Sequence, residues 1–259
     1  MNKKVVLILI DGMRPDGLKE CGNDYLEKFT KESSYTFNAQ TVFPSITLPC
    51  HLSLFHSIPP ERHGTTNNHY VEPVRPVNGL FEKLKSAGKK SAVFSGWQQL
   101  RDICKPGTLD FSLFIHQLNY EHVDNILTDT AINYIKGASP DFVFLYLGET
   151  DDKGGHDCGW MSKTYLDYVR LAFNCVKRVV EQVGDDYTVI VTADHGGHDR
   201  IHGSKMLEDM TIPMFFRGEY FPKEKELCGV SILDITPTIA DIMGIEPERE
   251  WEGKSLLNK

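Results

Sequence analysis

An α/β fold with a mostly parallel central sheet and helices on both faces is predicted by two features of this 259-residue sequence. Short apolar or β-branched runs recur along it, at Val5 to Ile10, Ser91 to Ser95, Phe142 to Leu147, Tyr187 to Thr192 and Ile212 to Arg217. Runs of this length without polar alternation fit strands buried on both faces. Helical patterns lie between them, and parallel neighbours need crossovers of the kind helices supply.

Each element has its own signal. Val5 to Ile10 ends in Asp11-Gly12, a strand followed by a turn. Pro44-Ser45-Ile46-Thr47-Leu48-Pro49 marks a strand-to-helix junction, and Leu48 to Ser57 reads as a helix with proline in its first turn. The clearest helix runs from Met161 to Val183, where Met161, Tyr165, Tyr168, Val169, Ala172, Val176, Val179 and Val183 recur at three- and four-residue spacing. Gly184 is its natural stop. No Gly/Ser/Pro linker, repeat or charge block interrupts the chain, so residues 1–259 read as a single domain, long enough to bury about three quarters of its unfolded surface.

Composition narrows the function. With 41% hydrophobic and 25% charged residues the chain is not a disordered one. A net charge of −8 argues against binding a nucleic acid polymer, which clustered Lys and Arg would serve. A small phosphoester remains compatible, because bound cations reverse the local field. Met1-Asn2-Lys3-Lys4 followed by Val5 to Ile10 superficially resembles a signal peptide, but the apolar run is too short, lacks a cleavage site and ends in Asp11. No run approaches the roughly 20 residues that span a bilayer. The chain is therefore expected to be cytoplasmic, with no membrane partner. Cysteines 21, 50, 104, 158, 175 and 228 form no C-x-x-C pair and read as free thiols. Nothing in the sequence sets the oligomeric state.

Three groups of metal-binding residue types follow apolar runs: Asp11, then Asp152 with His156, then Asp194 with His195 and His202. The carboxyl ends of those strands would converge on one sheet edge, where open α/β proteins build their ligand sites. Singly, each has an ordinary reading. Asp11-Gly12 is a turn, Thr47 is an N-cap, and Asp152 with His156 is a polar loop. Jointly, and each at a strand's end, they point to a metal site. Mixed carboxylate and imidazole ligands suit Zn²⁺, with Mn²⁺ and Fe²⁺ as competitors. His51, His56, His63, His69, His116, His122 and His198 take ordinary structural roles, His69 and His198 lying near ligands in sequence.

Asp11-Gly12-Met13-Arg14, Thr47-Leu48-Pro49-Cys50-His51, Asn68, Asp152-Lys153-Gly154-Gly155-His156, Thr192-Ala193-Asp194-His195-Gly196 and His202-Gly203 resemble, in order, the motifs of the alkaline phosphatase superfamily. Within it they are most similar to the nucleotide pyrophosphatase/phosphodiesterase branch. Leu233 to Ala240, Met243-Gly244 and Trp251 to Leu256 resemble the closing helix and loop of that superfamily.

The resemblance implies an alkaline phosphatase-like catalytic domain with little room for a cap, and two divalent ions, Zn most of all. One would take Asp152, His156 and His202; the other Asp11, Asp194, His195 and the Thr47 oxygen. Three carboxylates and one alkoxide then balance two divalent charges, and such a site can hold a threonine alkoxide at neutral pH. Thr47, at a helix N-terminus, would attack phosphorus in line to give a phospho- or nucleotidyl-threonine that water hydrolyses, with Asn68 donating to a non-bridging oxygen. The implied substrate is a small phosphoester, nucleotides included. Leu48 stands where the branch commonly has a base-stacking aromatic, so substrate contacts are sought between Val71 and Asp110, with Trp97 as platform. A phosphomonoesterase or phosphonate hydrolase on the same scaffold is the second reading. A sulfatase is disfavoured by threonine at the nucleophile position, and a catalytically silent metal-binding protein by the presence of every ligand.

Overall fold

Six consecutive apolar residues leave no face for solvent, and Val5–Ile10 is accordingly fully buried at the middle of a sheet. The structure, a computed structural model, describes residues 3–257. Met1 and Asn2, which head the segment weighed as a signal peptide, lie outside the described residues.

The strands are β1 (Val5–Ile10), β2 (Ser34–Gln40), β3 (Ser91–Ser95), β4 (Phe111–Phe114), β5 (Phe142–Leu147), β6 (Thr188–Thr192), β7 (Thr211–Arg217) and β8 (Lys225–Glu226). They form one eight-stranded sheet in the order β4-β3-β5-β1-β6-β7-β2-β8. Among the described strands only β7 runs against the rest, pairing antiparallel with both β6 and β2. No second sheet covers the carboxyl edge among the described residues.

The helices are α1 (Pro15–Glu20), α2 (Leu26–Lys31), α3 (Thr47–His56), α4 (Pro60–His63), α5 (Leu80–Ser86), α6 (Val123–Ala138), α7 (Lys163–Val183), α8 (Leu207–Met210) and α9 (Ile235–Met243). They cover both faces, as the strand alternation requires. On one face Phe55 of α3 meets Phe144 of β5 edge-on at 4.9 Å and Phe81 of α5 meets Phe142 at 5.7 Å. The intervening residues of β5 are equally buried, and α6 packs there against β5 and α7. Phe173 of α7 joins Phe29 and Phe215 in an aromatic cluster under β7. Among the described residues no helix is long and apolar enough to cross a membrane.

The sequence reading and the structure part where apolar runs are absent. β2 is Ser-Tyr-Thr-Phe-Asn-Ala-Gln, half-buried and alternating, and β4 and β8 are shorter still. The long helix begins at Lys163 rather than Met161, because Met161 sits at φ 65° and the Ser162 hydroxyl caps it by accepting the Tyr165 N–H. Helix α3 starts at Thr47 itself and stops where Ser57 turns left-handed at φ 51°.

Register places the site. Ile10 pairs with Leu147 and Leu9 with Thr192, so β1, β5 and β6 end level and the residues after them emerge at one edge. Phe144→Ala should destabilise the fold by about 3–5 kcal/mol, since it removes a fully buried ring between α3 and the sheet. Urea unfolding followed by circular dichroism measures this; a loss under about 1 kcal/mol would mean that the site collapses around the missing ring.

Candidate metal centre

Asp11 is the first residue past β1, its N–H bonded to Leu147 O at 2.9 Å. Gly12 follows at φ +64°, and a Cβ there would lie 2.8 Å from Asp151 Oδ1. Both facts favour glycine, and they let the chain press against Asp151. The Gly12 N–H donates to Asp194 Oδ1 at 3.2 Å, tying the end of β1 to the residues after β6. Thr47 opens α3, with Oγ1 3.1 Å from His195 Nε2. Pro49 has no N–H, so the free donors at this helix start belong to Thr47 and Leu48. Leu48 N–H donates to Asn68 Oδ1 at 3.1 Å, which leaves the Nδ2 hydrogens of the same amide for another acceptor.

The structure brings a different aspartate into the cluster. Asp152, which the resemblance set with His156, is half-buried and accepts from Gln117 Nε2 at 2.9 Å. Asp151 stands in the cluster in its place, with Oδ2 3.4 Å from His156 Nε2 and Oδ1 3.9 Å from His202 Nε2. The cause is the winding of the backbone. Thr150–His156 forms a π-helical turn, closed by Asp157 N–H on Asp152 O, and in that turn residues five apart share a face. The turn fits because Gly154 lies against Tyr165 and Gly155 against Trp160, where a Cβ would meet ring atoms at 3.2 and 2.6 Å.

The donor atoms converge. Asp11, Asp194 and His195 form one group and Asp151, His195 and His202 another, each with ligand atoms within 4.8 Å of one another. His195 Nε2 lies 3.4 Å from Asp11 Oδ1 and 3.4 Å from Asp194 Oδ2. Asp11 Oδ1, Asp151 Oδ1 and Asp194 Oδ2 are all buried without a hydrogen-bond partner. Burial chiefly, and then the neighbouring aspartates, pushes the Asp11 and Asp151 carboxyls well above their ordinary value. Burial would raise Asp194 too, but His195 and His51 hold it low.

Imidazole orientation completes the test. His195, His202 and His156 each present Nδ1 to a backbone carbonyl, Gly196 O at 2.8 Å, Ser45 O at 2.9 Å and Arg200 O at 2.9 Å. With Nδ1–H donating, each Nε2 keeps its lone pair toward the carboxylates, the arrangement typical of metal-ligating histidine. Burial drives His202 down to about 3, so its ring is neutral and able to ligate. Orphaned carboxylate oxygens facing imidazole Nε2 atoms fit divalent cations.

Further residues support the cluster without an obvious sequence signal. The buried Tyr146 hydroxyl donates to Asp11 Oδ2. His51, read as ordinary, is fully buried one turn after Thr47, with Nδ1 2.8 Å from Thr47 O and 3.6 Å from Asp194 Oδ2. Trp160 packs edge-on to His156 at 5.3 Å and donates from Nε1 to Gly12 O. Trp97, the expected platform, instead lines a cavity of about 280 Å³ with Val93, Leu109 and Phe114, and no ligand residue borders it. Arg14 is engaged by Asp16 and Gly197 O, and Arg62 by Glu252 and Glu250 O. His69 is exposed, whereas His198 pairs with Asp209 at 2.7 Å.

Comparison with known proteins agrees with this geometry. Residues 5–87 match the family model for type I phosphodiesterase/nucleotide pyrophosphatase, and residues 112–247 that of the metalloenzyme superfamily. The chain is 27% identical over 140 residues to the 2,3-bisphosphoglycerate-independent phosphoglycerate mutase of Clostridioides difficile, covering 51% of this chain and 27% of the mutase. It is 24% identical over 230 residues to the Homo sapiens bis(5'-adenosyl)-triphosphatase ENPP4, covering 74% of this chain and 47% of that protein. The chain thus spans less than half the length of both curated relatives. The fold is shared with murine ectonucleotide pyrophosphatase/phosphodiesterase 5, with a TM-score of 0.81 at 15% identity, over 95% of this chain and 96% of that one.

Divalent metal uptake at neutral pH should release protons. Burial and the neighbouring aspartates shift Asp11 and Asp151 toward their protonated forms, and ligation needs them ionised, whereas neutral His202 has no proton to give. Calorimetric titration with Zn²⁺ in buffers of different ionisation enthalpy should give a slope for net proton release. A zero slope would mean that both carboxyls are already ionised.

Proposed function

Because the chain belongs to the metalloenzyme superfamily, that of the alkaline phosphatases, we propose that it is a metal-dependent hydrolase of small phosphoric esters of the phosphodiesterase/nucleotide pyrophosphatase type. One observation carries the proposal: the Thr47 hydroxyl at a helix start lies within hydrogen-bond reach of an imidazole in a cluster of buried, partnerless carboxylate oxygens. Asp151, His156 and His202 would hold one divalent ion, and Asp11, Asp194, His195 and Thr47 the other. The mixed oxygen and nitrogen donors suit Zn²⁺ best. Bound there, the ions would neutralise the carboxylates and favour the Thr47 alkoxide.

The chain's own groups then define the reaction. Thr47 Oγ1 forms a bond to phosphorus as the opposite ester bond breaks and the leaving group departs with its electron pair. The phospho- or nucleotidyl-threonine is hydrolysed by water, which restores the Thr47 hydroxyl. The Thr47 N–H at the helix start and the Asn68 Nδ2 hydrogens are the donors for the non-bridging oxygens.

A diester fits better than a monoester. A second negative charge on the phosphoryl group calls for an arginine fork, and both Arg14 and Arg62 are already held by carboxylates. A nucleotide is the substrate class proposed first, in line with the activity for which the human relative is named. A phosphomonoesterase or phosphonate hydrolase is the second reading, favoured by one feature: Leu48 is buried and offers no face on which a base could stack. We read residues 1–259 as a single catalytic domain, since one sheet takes strands from Val5 to Glu226. Six free thiols favour the reducing cytoplasm.

Thr47→Ala should keep the fold and the ion at Asp151 while lowering turnover by on the order of 10⁴-fold, because the group that forms the covalent bond is gone. Rapid-quench labelling should place the phosphoryl group on Thr47, and a label on any other residue refutes the assignment. With matched nitrophenyl substrates the diester should have the higher kcat/KM, and Asn68→Ala should lower it by about 10²–10³-fold. A tenfold preference for the monoester, or an Asn68→Ala variant without effect on the diester, would favour the second reading.

A further inference from the structure

Asp209 is a fully buried carboxylate outside both ligand groups, and its two oxygens serve two different loops. Oδ1 accepts from His198 Nδ1 at 2.7 Å, and Oδ2 accepts from the Ser204 N–H at 2.8 Å. Burial alone would raise its value, but these hydrogen bonds hold it low, so it stays charged. We propose that Asp209 is a positioning residue for the Asp151 site alone, setting the imidazoles of His156 and His202 by two separate hydrogen-bonded routes while leaving those of the Asp11 site untouched. This inference rests on the two-ion reading given above.

The first route passes through a tight hairpin. His198 and Ile201 exchange backbone hydrogen bonds at 2.9 Å each, with Asp199 left-handed at φ 48° between them. The hairpin carbonyls then point at the π-turn side: Arg200 O accepts His156 Nδ1–H at 2.9 Å, and Asp199 O accepts the Trp160 N–H at 2.8 Å. Fixing His198 therefore fixes the acceptor that selects the His156 tautomer. The second route passes through Ser204, whose carbonyl accepts the Ser45 hydroxyl at 2.8 Å, and Ser45 O in turn accepts His202 Nδ1–H at 2.9 Å. His195 depends on neither route. Its Nδ1 is held by Gly196 O, and Gly196 N–H bonds the backbone carbonyl of Asp209, which a side-chain substitution leaves in place.

Outer partners of ligating histidines are worth about 10–100-fold in metal affinity, so the loss should fall on one ion. The experiment is a Zn²⁺ titration of the full chain against a chromophoric chelator, paired with Co²⁺ absorption spectra as a signature of each site. Asp209→Asn keeps the shape but loses the charge and one acceptor. It should bind one ion with wild-type affinity and the other 10–100-fold more weakly, with only one component of the Co²⁺ spectrum changed. In an Asp11→Asn background, where the Asp151 site remains, adding Asp209→Asn should weaken the remaining ion by the same factor. In a His156→Ala background, adding Asp209→Asn should leave the affinity of the Asp11 site unchanged. Should Asp209→Asn fail to fold, Ser45→Ala, which cuts only the second route, should weaken the same ion by a smaller factor.

Equal weakening of both ions, or two ions bound as tightly as in the wild type, would overturn the role of Asp209. A wild-type chain that takes up fewer than two ions would overturn the two-ion reading and this inference together, and the wild-type arm alone reveals it.

Discussion

Asp11, Asp151 and Asp194 bring three carboxylates to one edge of the sheet, each with a buried oxygen that finds no hydrogen-bond partner. Unpaired buried charge is among the most costly arrangements a chain can hold, and it persists only where something compensates it. Much of the surrounding structure tends to that cost. Tyr146 donates to Asp11, the backbone N–H groups of Gly12 and His195 donate to Asp194, and three histidines bonded at Nδ1 turn their Nε2 atoms inward. What these donors leave uncovered is the space suited to divalent ions.

The sheet makes that convergence possible. Because β5, β1 and β6 are parallel and in register, the chain leaves all three at one level, and the next residue or two of each strand can share one volume. The strands themselves are closed to solvent on both faces, so the cluster stands on a rigid floor rather than on loops. Helix α3, packed through Phe55 onto Phe144, carries Thr47 at its first position and so holds the hydroxyl at the same edge. A hydroxyl placed by a helix start and carboxylates and imidazoles placed by strand ends meet without any segment needing to reach far.

Tight local geometry appears where two segments of the carboxylate and imidazole cluster touch. The π-turn at Thr150–His156, the left-handed Met161 and Asp199, and the close approach of Gly155 and Gly197 to the Trp160 ring all lie between the turn after β5 and the loop after β6. Sparsely populated backbone conformations tend to sit at functional sites, held there by the packing around them. Here the packing is the Trp160 and Tyr165 pair, both of which also bond Gly12 O.

Much of this was legible in the sequence, for a physical reason. Strands buried on both faces must be written as unbroken apolar runs, so β1, β3, β5, β6 and β7 declare themselves, and residues that follow such runs in an α/β chain are placed at one edge by the fold class alone. That logic singled out Asp11, Thr47, His156, Asp194, His195 and His202, which the structure gathers at that edge. β2 escaped because a half-buried strand alternates polar and apolar residues and has no run to recognise. Only the tertiary structure could choose between Asp151 and Asp152, since spacing assigns a shared face only once the helical period is known, and the π-turn is stabilised by Trp160 and Tyr165, rings that come later in the chain. His51, Tyr146 and Asp209 were likewise invisible. Each is a common residue type within an ordinary helix or strand, and its contacts are made with partners from about a dozen to more than a hundred residues away.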